Sequence, residues 1–153
     1  MAEIVHTCER CGAELPAGKT CRDLYNELSL YTLAHPDPRF LHQHIVDAYG
    51  ASHVGPESKL ILGSASLIGL YLFVEKGYTG KQVQNAHVEL GNNMKEWPRF
   101  VLPKEKASIT VLDALRAREG EERDRVIEEW ARAVWDMWKS EHETVRASLG
   151  ELR

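Results

Sequence analysis

Three cysteines and a histidine are the residues of this chain whose types and spacing could do chemistry. Cys8-Glu9-Arg10-Cys11-Gly12 is a C-x-x-C-G knuckle. Two intervening residues let both sulfurs face one ion, and the glycine after the second permits the tight turn beneath it. Cys21 follows Thr20, and Thr20-Cys21-Arg22-Asp23 reads as a capping box, with Thr20 at the N-cap and Asp23 at N3 of a first helix. Cys21 then occupies the first turn, where unpaired amides and the helix dipole favour a thiolate. Three thiolates of this kind point to zinc.

The fourth ligand depends on the helices that follow. The first is expected from Cys21 to about Ala34, where His35-Pro36-Asp37-Pro38 must break it, and the second from about Arg39 to Tyr49, ended by Gly50. Equal rise along the two arms of that hairpin sets Ala51 to His53 level with Cys21. His53 is therefore the preferred fourth ligand of a closed site of three cysteines and one histidine. His6, beside Cys8, is the sequence-local rival, and His42 is a further one. The alternative is that Cys8 and Cys11 are a redox pair, or that an exposed tail merely carries ordinary thiols. A thioredoxin-like role needs the pair on a helix start within a βαβ pattern, and no such pattern is visible.

The elements that must position these residues are helical. The 153 residues suffice for a single domain with a real core, read as an antiparallel all-α bundle of five to six helices over 21–148 with a knuckle tail over 1–20 packed on it. The formal net charge of −4, with charged residues at 27%, supplies no basic footprint, so no nucleic-acid partner is expected. Leu60 to Val74 is an uncharged run of about 15 residues, short of the ~20 that a membrane helix needs. No membrane partner is expected either. The start shows no charged-then-apolar leader, so the cysteines are expected in a reducing cytoplasm. Oligomeric state is left open.

Helical periodicity brings a second group of polar residues inward. The first helix carries Cys21, Leu24, Tyr25, Leu28 and Tyr31 in one stripe, and the second puts Leu41, His42, Ile45, Val46 and Tyr49 on one side, with His44 pointing away into solvent. Pro56 suits the first turn of a third helix that continues to Val74 and stops at Gly77. Apolar nearly all round, this helix is expected at the centre. Its small residues Gly63, Ser64, Ala65, Ser66 and Gly69 leave either space for a ligand or a surface for tight packing, the second being the commoner use. Thr79 caps a fourth helix, about Gly80 to Trp97, with Val83, His87, Leu90 and Met94 on one face. A hairpin turn near Gly55 sets His42 level with Ile68, and one near Tyr78 sets His87 level with Gly69. The two histidines are thus expected to meet beside the small residues, in a polar pocket or second metal site.

The remainder reads as scaffold. Arg99 to Ser108 is a connection, and Thr110-Val111-Leu112-Asp113 is a second capping box opening a short connector helix to about Arg118. A last helix is expected from about Glu121 to Ser148, where Trp130, Trp135 and Trp138 form a core seam rather than a cofactor box. Dinucleotide, P-loop, nucleophile-elbow and zincin motifs do not occur.

Several strings in combination carry a resemblance. They are Cys8-x-x-Cys11-Gly12 with Cys21 entering a leucine-rich helix, His42 followed by Val46-Asp47-Ala48-Tyr49 and His53, and Leu67-Ile68-Gly69-Leu70 leading to Glu75. His87 ahead of Trp97-Pro98, and Trp130-Ala131 with Val134-Trp135, Trp138 and His142, complete the set. Together they resemble an uncharacterised prokaryotic family known only as a domain of unknown function. The resemblance covers nearly the whole chain and supplies no activity. It implies that Cys8, Cys11, Cys21, His42, Asp47, Tyr49, His53, His87 and His142 belong to a shared pattern, and that many members carry a histidine where Ser66 stands.

Three functional expectations follow. The first is a binding or regulatory protein with a structural zinc and an inner pocket of His42, Asp47, Tyr49, Ser66, His87 and His142 that takes a small molecule or second metal. The second is a metal-dependent enzyme with an open ion held by His42 and His87, resembling in architecture the DinB-like bundles. The third is a redox or metal-sensing switch in which zinc release loosens the tail.

Overall fold

The computed structural model describes residues 5–35, 37–93 and 97–150. Pro36, expected to break the first helix, and Met94, expected on the apolar face of the fourth, lie outside the described residues. The element order is β1 (His6–Thr7), β2 (Glu14–Leu15), α1 (Cys21–Ala34), α2 (His42–Ser52), α3 (Leu60–Val74), α4 (Gly80–Asn93), α5 (Val111–Arg116), α6 (Glu121–Met137), a 3-10 turn Lys139–Glu141, and α7 (His142–Gly150). The chain is all-α in character, as its periodicity indicates, with one two-stranded antiparallel ribbon that pairs His6 with Leu15 and Thr7 with Glu14.

Local chemistry explains most starts and stops. Thr20 and Asp23 form the expected box: the Thr20 amide donates to the Asp23 carboxylate at 2.9 Å and the Asp23 amide to the Thr20 hydroxyl at 3.1 Å. Thr79 and Gln82 repeat the arrangement at the head of α4. The Asp113 carboxylate takes the Thr110 amide at 2.8 Å ahead of α5. α1 buries Cys21, Leu24, Leu28 and Tyr31, the expected stripe with Tyr25 at its edge.

Three expectations need correction. Pro56 does not open α3. Gly55 to Ser58 closes instead as a turn, the Ser58 amide donating to the Gly55 carbonyl and the Gly55 amide to the Ser58 hydroxyl, both at 3.0 Å, so α3 starts at Leu60. The last helix is not continuous. The Trp135 carbonyl accepts from the Trp138 amide at 3.0 Å and from the His142 ring at 2.8 Å, which takes it out of the α ladder and divides α6 from α7. That break makes seven α-helices among the described residues rather than five or six.

The third correction concerns α2, which packs against α1, α3, α4 and α6 and shares the centre with α3. It buries Gln43, His44, Ile45, Asp47, Ala48, Ala51 and Ser52, while His42, Val46 and Tyr49 are half-buried. His44, expected in solvent, is 2% exposed. Its ring lies against Phe73 with centroids 3.9 Å apart, and the Arg132 guanidinium sits over the same phenyl ring at 4.8 Å.

The α2–α3 register follows from close approaches along the seam. A Cβ placed on Gly63 would meet the Val54 side chain at 3.3 Å, one on Gly50 would lie 2.2 Å from Ser66 Oγ, and one on Gly69 would lie 2.0 Å from Asp47 Oδ2. Phe73 faces His44 at the far end. Gly69 is therefore opposite Asp47, whereas the hairpin count set it near His42. The later start of α3 moves the turn, and a shift of about one and a half helical turns exchanges one residue for the other. The small residues let the helices approach closely.

Trp130, Trp135 and Trp138 are all nearly inaccessible and form the inner side of α6 and its continuation. No helix among the described residues is long and apolar enough to cross a membrane.

Candidate metal centre

The knuckle is a tight loop bounded by β1 and β2. The Gly12 amide donates to the Cys8 carbonyl and the Cys8 amide to the Ala13 carbonyl, each at 2.9 Å. Gly12 has φ +81°, a left-handed conformation that a side chain would strain. The aliphatic stem of Lys106 also lies where its Cβ would be, at 2.8 Å. The Lys106 ammonium donates to the Glu9 carbonyl at 2.6 Å and the Arg10 carbonyl at 3.1 Å, so a residue of the connecting segment clamps the loop. Spacing gave no hint of this role for Lys106, because the contact joins positions almost a hundred residues apart.

One ligand atom from each of Cys8, Cys11, Cys21 and His53 falls within 4.8 Å of every other. The Cys11 and Cys21 sulfurs are 3.4 Å apart. Zinc–sulfur bonds of about 2.3 Å in a tetrahedron place sulfurs about 3.8 Å from each other, so the four donors suit one ion. The cysteines are free thiols. Cys11 and Cys21 are buried and Cys8 is half-buried.

His53 is prepared as a ligand by its surroundings. It is the C-cap of α2, and its Nδ1 lies 2.8 Å from the Tyr49 carbonyl, an acceptor only, so Nδ1 carries the hydrogen. The neutral ring then has its lone pair on Nε2, which is buried without a hydrogen-bond partner. A carbonyl that orients a histidine through its other nitrogen is the usual support of a metal ligand. Tyr49 stacks on this ring with centroids 4.1 Å apart and on Tyr25 at 4.4 Å, fixing its plane. Burial lowers the His53 pKa, keeping the ring neutral, as ligation requires. His6 does not compete: its Nε2 is 3.1 Å from the Lys19 carbonyl, in an exposed position outside the group.

The thiols respond to burial and to each other. Burial pushes Cys8 up, but the amides of Cys11 and Arg10 and the neighbouring thiols outweigh it and hold Cys8 below its ordinary value. Burial pushes Cys11 up despite the Ala13 amide. It pushes Cys21 up further, helped by hydrogen bonding and charge at Cys11. Three thiolates cannot ionise together in so small a volume without a positive partner, which a bound metal ion would supply.

The residues expected around an inner pocket are dispersed. His42 Nδ1 is 2.9 Å from Thr32 Oγ1, and its ring leans on Phe40. Tyr49 belongs to the stack beside the cysteines. Ser66 is covered by Gly50. His142 stacks parallel on Trp135 at 3.7 Å, with Nδ1 3.9 Å from Glu75, whose carboxylate also takes Trp135 Nε1 at 2.9 Å and the Arg146 guanidinium. Asp47 and His87 do come together: Nε2 is 3.7 Å from Oδ1. Gln43 donates to the same oxygen at 3.2 Å, while Asp47 Oδ2 and His87 Nε2 are buried without hydrogen-bond partners. Burial raises the Asp47 pKa far above the carboxylate range and lowers that of His87. A neutral acid facing a neutral imidazole is the arrangement these directions favour. Among the described residues, Cys8, Cys11, Cys21 and His53 are the group of three or more metal-ligating side chains that converges.

The chain belongs to a family of unknown function (DUF5946), whose model matches residues 6–139. No curated protein and no solved structure matches it.

Proposed function

We propose that this chain is a zinc-stabilised helical binding module. Cys8, Cys11, Cys21 and His53 hold one zinc ion in a closed tetrahedral shell. The ion ties the amino-terminal ribbon to the start of α1 and the end of α2. Four protein ligands leave no position for water or substrate, so the metal fixes structure and does not itself activate a reactant. The observation that carries this reading is the His53 ring, whose Nδ1 is anchored on the Tyr49 carbonyl while its buried, unpartnered Nε2 joins three sulfurs within 4.8 Å. Free thiols available for ligation fit a reducing compartment such as the cytoplasm. Binding of a small molecule is then the work of the helical surfaces.

Metal analysis and melting test this together. The purified chain is expected to carry one zinc per molecule and to lose part of its melting temperature when a strong chelator removes it. A metal-free chain as isolated, or an unchanged melting curve after complete removal, contradicts the reading.

A further inference from the structure

The clefts of the surface differ in charge. One of 610 Å³ between α3, α4 and α7 carries Lys76 but also Glu89, and its Arg146 is gripped by both carboxylate oxygens of Glu75. Another, of 530 Å³, is bounded by the loop after His53, the first turns of α3 and the segment 98–102. Its apolar walls include Leu60, Leu67, Phe100, Leu102 and, at the floor, Trp138. Among the described residues its charged lining residues are Lys59 and Arg99, and no carboxylate lines it.

Glu96 lies outside the described residues; of the described acids, two stand close by in sequence, and both are engaged elsewhere. Glu57 pairs with Arg10 at 3.0 Å, and Glu141 accepts the Val101 amide at 2.5 Å. Lys59 and Arg99 are exposed, and neither enters a salt bridge among the described residues. Leu60 keeps 39% of its surface in water, apolar area that a hydrocarbon body would cover. The segment that forms one wall is pinned from behind, since the buried Ser64 hydroxyl donates to the Pro98 carbonyl at 3.2 Å. A volume of this size is within the range of small-molecule sites, about 300–1,000 Å³.

We propose that this cleft binds an amphipathic monocarboxylate, with its hydrocarbon part against Leu60, Phe100 and Leu102 and its carboxylate at the Lys59 and Arg99 rim. The charge of the lining selects the anion, and the apolar walls select the chain. The site does not depend on which metal the cysteines hold.

Calorimetric titration of the zinc-loaded chain with decanoate and decyltrimethylammonium below their micellar concentrations, and with decanol below its solubility limit, tests the proposal. Tryptophan fluorescence provides a second readout through Trp138. Decanoate is expected to bind one saturable site, decanol about fivefold more weakly, and the cation not to compete, because only the anion gains from the two rim charges. The double variant Lys59→Glu/Arg99→Glu, at two exposed positions, should keep its helical circular dichroism and bind decanoate about tenfold more weakly, with decanol changed by less than about twofold. The proposal fails if decanoate shows no saturable binding below about 1 mM. Equal affinities for all three probes, an unchanged decanoate affinity in the double variant, or a self-associated chain whose cleft is closed to decanoate would also overturn it.

Discussion

Two histidines in this molecule share one local condition and differ in what faces them. His53 and His87 each bury an Nε2 without a hydrogen-bond partner, and burial lowers the pKa of both. Around His53 the sulfurs of Cys8, Cys11 and Cys21 converge. Across from His87 stands the single carboxyl of Asp47, with Gly69 closing the space between them. Three thiols and an imidazole can enclose an ion, whereas one acid and one imidazole can share a proton. A free imidazole nitrogen is thus ligand-like only where further donors meet it, and the lesson is to count donors before assigning a metal.

Substitution at the two places separates them most sharply. Cys21→Ser should abolish stoichiometric metal and cost about 3–5 kcal/mol of metal-dependent stability, and His53→Ala should leave zinc on the three sulfurs with an affinity about a hundredfold lower. Asp47→Ala or His87→Ala should leave the metal content at one per chain. Elemental analysis of the four variants, with urea unfolding, checks both statements.

Next in size is the seam between α2 and α3. Gly69→Ala puts a methyl 2.0 Å from Asp47 Oδ2 and 2.8 Å from His87 Nε2, neither at the end of a long flexible chain. The expected cost is about 2–4 kcal/mol. Combining it with Asp47→Ala should recover part of that loss, a coupling that a double-mutant cycle reads directly. Asp47→Asn should cost less than about 1 kcal/mol, since the amide keeps the shape of a carboxyl that burial already holds neutral. A cost for Asp47→Asn equal to that of Asp47→Ala would mean that the charged form matters.

The pH dependence of α2 follows from His44. Burial, with the charges of Arg132 and Arg39 only partly offset by Asp37, lowers its pKa to about 4. An unfolded histidine titrates near 6.5, so protonation favours the unfolded chain. The contribution of His44 is complete above pH ~6.5 and falls by about 3 kcal/mol as pH drops through that window to ~4. Asp47 acts with the opposite sign, its raised pKa favouring the fold at low pH and costing stability as pH rises past ~3.9. Acid also protonates metal ligands, so the informative quantity is the difference between the native chain and His44→Gln. Urea titrations at pH 4.5 and 7 should show a flatter acid limb in the variant.

The smallest effect belongs to the solvated face of α6. Arg125 and Glu129 pair at 2.7 Å with both side chains largely in water, and Arg125→Ala should change stability by less than about 0.5 kcal/mol.

What the sequence disclosed divides along the same line as the two histidines. The knuckle and the Thr20–Asp23 box are local patterns whose meaning is settled within a few residues. His53 was reachable by counting along one hairpin, because α1 and α2 are regular and the turn between them is short. The α2–α3 register departs from the hairpin count because Pro56 reads as a helix start, whereas the Ser58 hydroxyl closes a turn there and moves the register by about one and a half helical turns. The buried polar face of Gln43, His44 and Asp47 had no local signature, since what covers it, Phe73, Gly69 and His87, comes from α3 and α4. The break between α6 and α7 has neither glycine nor proline to mark it. It rests on a carbonyl shared by a tryptophan amide and a histidine ring.

The central claim is that one ion joins three sulfurs to the imidazole of His53. X-ray absorption at the zinc edge, on the purified chain and on His53→Ala, measures that shell directly. The account predicts three sulfurs near about 2.3 Å and one nitrogen near about 2.0–2.1 Å, with the imidazole scattering lost in the variant. Two sulfurs with oxygen ligands, or an imidazole signal that survives in His53→Ala, would contradict it.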